Sequence, residues 1–409
     1  MQKPVWKLLL FSLLLLTLVV FAGTVQAQEN APAAQPQAAA AAPYHPAAAA
    51  FATPAPKPST SAMSEGPDPD RKWEIEFHGG GMFSTNPDGG SAILPGPGAG
   101  FTTESGSTSR AISSYYFGDG ALLFNQFIAQ VVTLGPCAGV CTNITPLDPV
   151  LTSRTAERDN GGAFGFRISR DITPRWAIEA NFDYSLANLR INSAGVNGIE
   201  ASRASWATGW TNFFSISTGT GPVVTSTSAI DRSEGHQIFG TAGVNVNLLT
   251  EGKVIPYLSF GGGALANTGD LPSAALVGNF QINFFGAPYN NTDAVLVNWT
   301  MPGVQGVGYV GGGFKYYVTP RWGIRLDVRD YLSGNGLKQY VSASPLVATL
   351  TPAQAIAGPA TLNPDIQFSN DPPSGPDTLS GPALTRFRTF SGDGIRNQIV
   401  VSGGIFFRF

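Results

Sequence analysis

Alternation organises this chain. In "PRWAIEANFDYSLANL", Trp176, Ile178, Ala180, Phe182, Tyr184 and Leu186 share one parity, and Ala177, Glu179, Asn181, Asp183 and Ser185 share the other. That is the period of a strand with one apolar and one polar face. The run is about 11 residues, matching the ~9–11 that a tilted strand needs to cross hydrocarbon. Trp176 and Tyr184 stand near its two ends, where an interfacial aromatic girdle requires them. "RKWEIEFH" repeats the scheme, with Trp73, Ile75 and Phe77 opposed to Glu74, Glu76 and His78. The chain closes the same way: Ile399, Val401, Gly403, Ile405, Phe407 and Phe409 fall on one side, and Gln398, Val400, Ser402, Gly404, Phe406 and Arg408 on the other. A water-facing terminus would leave those rings exposed, whereas lipid would cover them.

Two segments repeat one another. "DITPRWAIEANFDY" and "YVTPRWGIRLDVRDY" share T-P-R-W-x-I followed by alternation, and each is preceded by an alternating stretch. Each unit reads as a hairpin with a short Thr-Pro-Arg turn, proline supplying the fixed φ. Eight strands follow, near 72–84, 161–171, 175–188, 235–249, 254–267, 304–318, 321–333 and 395–409. Short turns fall at 172–174, 250–253 and 319–320, and long connections at 85–160, 189–234, 268–303 and 334–394. This short–long polarity is that of an outer-membrane barrel. One further alternation, Phe280, Ile282, Phe284 and then Val295, Val297, Trp299, gives either a ten-stranded barrel or a hairpin projecting above the membrane; projection is the expectation. In the first long connection, "FGDGALLFNQFIAQVV" predicts a short helix on the barrel rim, capped by Asp119 with a Leu123, Phe127, Val131 stripe.

Composition agrees with export and with a membrane. Lys3 and Lys7 precede an apolar run of about 14 residues, shorter than the roughly 20 of a spanning helix, and Ala27 ends a small-residue cleavage site. The first 27 residues therefore read as a signal peptide. The formal charge of −3 becomes −5 once Lys3 and Lys7 are lost, and nothing points to nucleic acid. Charged residues are 12%, against about 25% in ordinary globular chains. Only helices and closed barrels satisfy the backbone inside lipid. Residues 28–71 are Ala/Pro-rich and have no face to bury; they read as a disordered periplasmic tether, with peptidoglycan contact as an open possibility.

From Lys72 to Phe409 the chain resembles the single-chain outer-membrane β-barrels of the outer membrane protein A transmembrane-domain type and their small relatives. The end carries the resemblance: a terminal Phe409 with Phe407, Ile405, Val401 and Ile399 at alternate positions. The resemblance implies an all-β fold, a transmembrane antiparallel up-and-down barrel of eight strands with ten as the alternative. It also implies that the barrel-assembly machinery reads the terminal strand, that lipid and lipopolysaccharide surround the wall, and that the long loops are extracellular. Here those loops exceed the small members', and no peptidoglycan-binding domain follows.

The chemistry sits on the inward parity: Glu74, Glu76, His78, Arg167, Glu179, Asp183, Lys315, Arg325, Asp327, Arg329, Arg396 and Arg408. With the first hairpin centred on Thr173, Arg167 faces Glu179; pairing of first and last strands brings Glu74 to Arg408. Charges inside a narrow barrel must pair, and an eight-stranded interior is only just wide enough for side chains to fill. The expectation is a lumen plugged by ion pairs; a polar conduit through the same residues is the alternative. Trp73, Trp176, Tyr184 and Trp322 are the expected girdle. Cys137 and Cys141 lack further zinc ligands, so a local disulfide is expected. "GVGYVG" fits a dinucleotide pattern in letters only, since another strand follows it. His236 with Asp231, Ser233 and Glu234 could be drawn as a hydrolytic group, but proximity in sequence places no base against a nucleophile. No cofactor is expected, and the chain is read as a non-enzyme. Two functions stay open: a structural anchor whose loops, with Trp206, Trp210, Phe213 and Phe214, make adaptable contacts, or a narrow pore for a small or hydrophobic solute.

Overall fold

The computed structural model describes residues 17–18, 66–68, 70–97, 100–102, 108–133, 141–218, 222–284, 287–343, 346–348 and 384–409. The cleavage site at Ala27 and nearly all of the expected tether lie outside the described residues. Eight strands form the wall: β1 (Trp73–Ser84), β2 (Gly161–Asp171), β3 (Trp176–Leu186), β4 (Gln237–Asn247), β5 (Val254–Asn267), β6 (Val304–Tyr317), β7 (Trp322–Gly334) and β8 (Ile395–Arg408). Each pairs antiparallel with the next, and β8 returns to β1 from Glu74↔Arg408 to Ser84↔Gln398, which closes the barrel. Thr17 and Leu18 make a two-residue parallel pairing with Tyr309 and Val310 and add no strand to the wall.

The sequence repeat is a structural repeat. At the β2–β3 turn the Thr173 N–H donates to the Trp176 carbonyl at 3.1 Å, and the Trp176 N–H donates to the Thr173 hydroxyl at 3.1 Å. At the β6–β7 turn Thr319 and Trp322 make the same pair of bonds, at 3.1 and 3.2 Å. Thr-Pro-Arg-Trp thus closes a turn through its own side chain, and its tryptophan opens the next strand on the outward face. The turn is centred one position later than the sequence suggests. Arg167 consequently faces Asn181, and Glu179 faces Ser169. This corrects the expected Arg167–Glu179 register by two residues, which keeps parity and shifts the partner.

The long connections fold together into a cap. Val223–Asp231, Ser273–Phe284, Ala287–Thr300, Lys338–Ala343, Leu384–Gly392 and Gly90–Ala92 pair in that order as a six-stranded antiparallel sheet. The ambiguous hairpin between Ser273 and Thr300 belongs to this sheet, so the barrel has eight strands and the hairpin projects. Ala156–Arg158, Asn188–Ile191 and Ser233–Glu234 form a small collar at the barrel mouth. Among the described residues the connections also form a three-stranded sheet of Gly100–Thr102, Thr108–Ile112 and Leu346–Ala348 and three helices, α1 (Gly118–Thr133), α2 (Asp148–Leu151) and α3 (Ser193–Thr218).

The cap has its own apolar core. Trp206, Trp210, Phe213 and Phe214 of α3 are buried among Tyr115, Phe124, Leu276 and Val297. Tyr116 stacks on Trp206 with ring centroids 5.2 Å apart, and Gly278 leaves the space that the Trp206 indole fills. The four aromatics expected to line a contact surface are therefore core. Helix α1 buries Phe124, Phe127 and Ile128 in the same core. The face is rotated from the expected stripe: Leu123 is half-buried, and the side chain of Val131 lies outside the description. The carboxylate that meets the Gly118 N–H is that of Asp148, at 3.0 Å, and burial raises its pKa.

One carboxylate is sealed into this core. Asp293 accepts from the Tyr115 N–H at 2.9 Å and the Trp206 indole N–H at 3.2 Å, and burial pushes its pKa up to about 6. The unfolded value is near 3.9. Protonated Asp293 therefore favours the folded cap: its contribution is full below about pH 4 and is lost as pH rises through 6, by about 3 kcal/mol. Hydrogen exchange of the cap amides between pH 4 and 7.5 should show this loss, and Asp293→Asn should abolish the difference.

The charged lumen as candidate functional site

Inward parity turns the strand pattern into a filled interior. Glu74, Glu76, Arg167, Glu179, Asp183, Lys315, Arg325, Asp327 and Arg329 are all buried, with small apolar clusters beside them: Met82, Phe239, Leu265, Val307 and Val400 in one, and Ile255 and Phe406 in the other. The charged groups close on one another at the level of the mid-barrel. Arg167 reaches Glu76 at 3.0 Å and Asp327 at 2.8 Å. Arg325 reaches Glu76 and Glu179, both at 3.3 Å, and Arg329 reaches Glu179 at 2.7 Å and Asp327 at 2.5 Å. Lys315 meets Glu74 at 2.8 Å. Glu179 is the hub, since three guanidinium groups converge on it, Arg167 from 3.6 Å.

Neutral groups take up the remaining bonding capacity. The Tyr257 hydroxyl accepts from Arg325 Nε at 2.6 Å and donates to Asp327 at 2.7 Å. Tyr309 donates to Glu179 at 2.8 Å, Tyr331 to Asp183 at 2.6 Å, and the Asn245 amide to Glu179 at 2.6 Å. His78 sits between Asp183 at 2.5 Å and Glu76 at 3.5 Å. Arg325 lies over the Tyr257 ring at 4.2 Å and Arg329 over Tyr309 at 4.9 Å. Two inward glycines make room: a Cβ on Gly165 would stand 2.9 Å from His78 Nε2, and one on Gly404 would stand 2.7 Å from Glu76 Oε1. The lumen tyrosines are absent from the sequence reading, which assigned aromatics to lipid. Parity with Ser259 for Tyr257, with Lys315 for Tyr309 and with Arg329 for Tyr331 would have placed them inside.

Not every expected member joins. Arg408 is the backbone partner of Glu74, but its guanidinium donates to Asp171 and to the Arg71 carbonyl. Arg396 lies at the opposite, cap-side mouth and has Asn335 Oδ1 at 3.3 Å. His236 contacts Glu234 at 3.1 Å, while the Ser233 hydroxyl donates to the Leu189 carbonyl and Asp231 accepts from Ser273. Those four residues do not assemble a nucleophile–base pair. Cys137 lies outside the described residues, and Cys141 carries no free thiol.

The outward face is the inverse. Phe77, Ile178, Ile324, Leu326, Val401, Ile405 and Phe407 stand exposed on the wall, with Phe409 51% and Ile405 63% accessible. Such a belt is far larger than a soluble monomer presents. Trp73, Trp176 and Trp322 ring the turn end, while Tyr184 stands near the cap end against Phe164. Trp176 and Tyr184 are about 26 Å apart along the strand at ~3.3 Å per residue, roughly 20 Å across the membrane at a ~40° tilt. The fold is a transmembrane antiparallel up-and-down β-barrel.

No family model and no curated protein matches the chain. Among solved structures it is similar to the outer membrane protein OprG from Pseudomonas aeruginosa, at 9% identity over 83% of this chain and 98% of that one, with a TM-score of 0.30. It is also similar to CarO of Acinetobacter baumannii, at 13% identity over 63% and 96%, TM-score 0.20. A third is the outer membrane protease OmpT from Escherichia coli, at 8% identity over 86% and 99%, TM-score 0.21. Likeness this distant leaves the barrel resting on its own strand pairing and its inside-out surface.

Removing the hub strands three buried cations. Glu179→Ala should lower barrel stability by about 3–5 kcal/mol, read as a shifted urea midpoint in detergent micelles. Phe407→Ala, on the lipid side, should shift that midpoint much less in micelles, where detergent covers the vacancy.

Proposed function

We propose that this chain is an outer-membrane anchor that holds a folded cap on the cell surface, with its lumen closed by ion pairs. The carrying observation is the convergence of Arg167, Arg325 and Arg329 on Glu179, Glu76 and Asp327, every contact between 2.5 and 3.6 Å. Side chains so engaged fill the width that an eight-stranded barrel has to offer. Conduction would require this network to open, and each broken pair would leave a buried charge uncompensated.

The reading places the cap outside the cell and residues 28–71 in the periplasm. Long connections on one side and three short turns on the other support that polarity. Within it, the terminal Phe409 strand is the segment that the assembly machinery would recognise, and the apolar belt meets lipid and lipopolysaccharide. The cap is the working part, because its sheet and helices form one core rather than four independent loops. Contact with partners then runs through the outer surface of a preformed body. The geometry around His236 gives no support to hydrolysis.

Planar-bilayer recording of the full-length refolded protein tests the reading. Silence from a demonstrably folded barrel is the expected result. Steady ohmic steps that change with Arg167→Ala or Glu179→Ala would instead make it a pore through the charged lumen.

A further inference from the structure

Above the mid-barrel network the charge pattern changes. Arg158, in the collar, and Arg396, near the start of β8, are 4% and 3% exposed, and neither makes an ion pair among the described residues. Arg158 donates to the Gly235 carbonyl and to Ser185 Oγ, and its Nε has no partner. Arg396 donates to Asn335 Oδ1, and both its Nε and Nη1 have none. Arg154 spends Nε and Nη2 on Asp88, and its buried Nη1 is also unpartnered. Burial, and then the charge of Arg396, push the Arg158 guanidinium down to about 9.

The nearby acids are committed elsewhere. Glu157 and Asp159 flank Arg158 in sequence, and both contact Arg190 at 2.6 Å. Glu234 faces His236, and Asp88 stands 88% exposed beside Arg154. The other side chains buried at this end are neutral: Ser185, Gln237, Ser333 and Gln398 are polar, and Met82, Phe239, Leu265 and Val307 form an apolar cluster beside them. Nor are the two arginines loosely placed. The Arg158 backbone is clasped by both ends of the Asn86 amide, at 3.0 and 3.1 Å, and Arg396 is paired into the wall opposite Ser333. Two fixed, buried, like charges with free donors cost stability unless an anion lies between them.

We propose that Arg158 and Arg396, backed by Arg154, form an anion site at the cap-side mouth of the lumen, taking a small oxyanion of the carboxylate or phosphate class. Guanidinium forks match both groups through paired, charge-assisted bonds. The site stands whether or not the lumen below it conducts.

The test uses the full-length protein refolded in detergent micelles, with sodium phosphate or sodium acetate compared with sodium chloride at matched ionic strength. Phosphate or acetate should raise the thermal midpoint saturably, and calorimetry should give a dissociation constant that Arg158→Gln or Arg396→Gln weakens tenfold or more. The double glutamine variant should fold at least as stably as the parent without anion, because it removes the repulsion. If it fails to refold, Arg158→Lys, which keeps the charge and loses the fork, should still weaken binding severalfold. No saturable response beyond chloride, or an unchanged affinity in these variants, would overturn the proposal.

Discussion

A backbone that enters hydrocarbon must find every hydrogen-bond partner within the protein. In this chain that constraint is met by closure of β8 onto β1, from Glu74↔Arg408 to Ser84↔Gln398, and the other features follow from it. Closure fixes which parity faces lipid, so Ile399, Val401, Ile405, Phe407 and Phe409 go out together. It equally fixes which parity is trapped inside, and that parity carries the ion-pair network of Glu76, Arg167, Glu179, Arg325, Asp327 and Arg329. The barrel is thus close to an inverted globule: a belt of large apolar residues is exposed on its wall and its charged residues are buried, beside small apolar clusters that help fill the lumen.

Trapped charges must then satisfy one another. The solution is spread over strands far apart in sequence: Glu76 comes from β1, Arg167 from β2, Glu179 from β3, and Arg325, Asp327 and Arg329 from β7. Arginine suits such a site because each guanidinium can serve two carboxylates at once, as Arg167 serves Glu76 and Asp327. Tyrosine hydroxyls relay between charges, and inward glycines keep the space. The cap obeys the ordinary rule instead. Standing in water, it buries Trp206, Trp210 and their neighbours and leaves polar groups outside.

The barrel was largely legible in the sequence because period two survives in three dimensions: the eight expected strands agree with those observed to within two residues at each end. The Thr-Pro-Arg-Trp repeat even named its turns. Register was less legible, since moving a turn centre by one residue preserves parity while exchanging Glu179 for Asn181 opposite Arg167. Of the cap, only the hairpin between Ser273 and Thr300 and helix α1 were legible, each being a local pattern. Helix α3 contains Gly195, Gly198 and Gly209 along with many Ser and Thr residues, which weakens its helical signature, and attention to aromatic content hid the stripe Ile199, Ser202, Trp206, Trp210, Phe213. Strands that pair across connections more than forty residues apart leave no local trace at all. Arg158 escaped for a related reason, because it lies on a collar strand of three residues, too short for alternation to mark it.

The central claim, that lumen charges hold one another rather than line open water, is most directly tested on the pair that joins β6 to β1. A double-mutant cycle on Glu74→Gln and Lys315→Met, followed by urea unfolding in micelles, measures their coupling. A closed network predicts single losses that do not add, with a coupling energy of at least about 1 kcal/mol. Losses that add to within about 0.5 kcal/mol would mean that each group is solvated on its own, and the closed lumen would be contradicted.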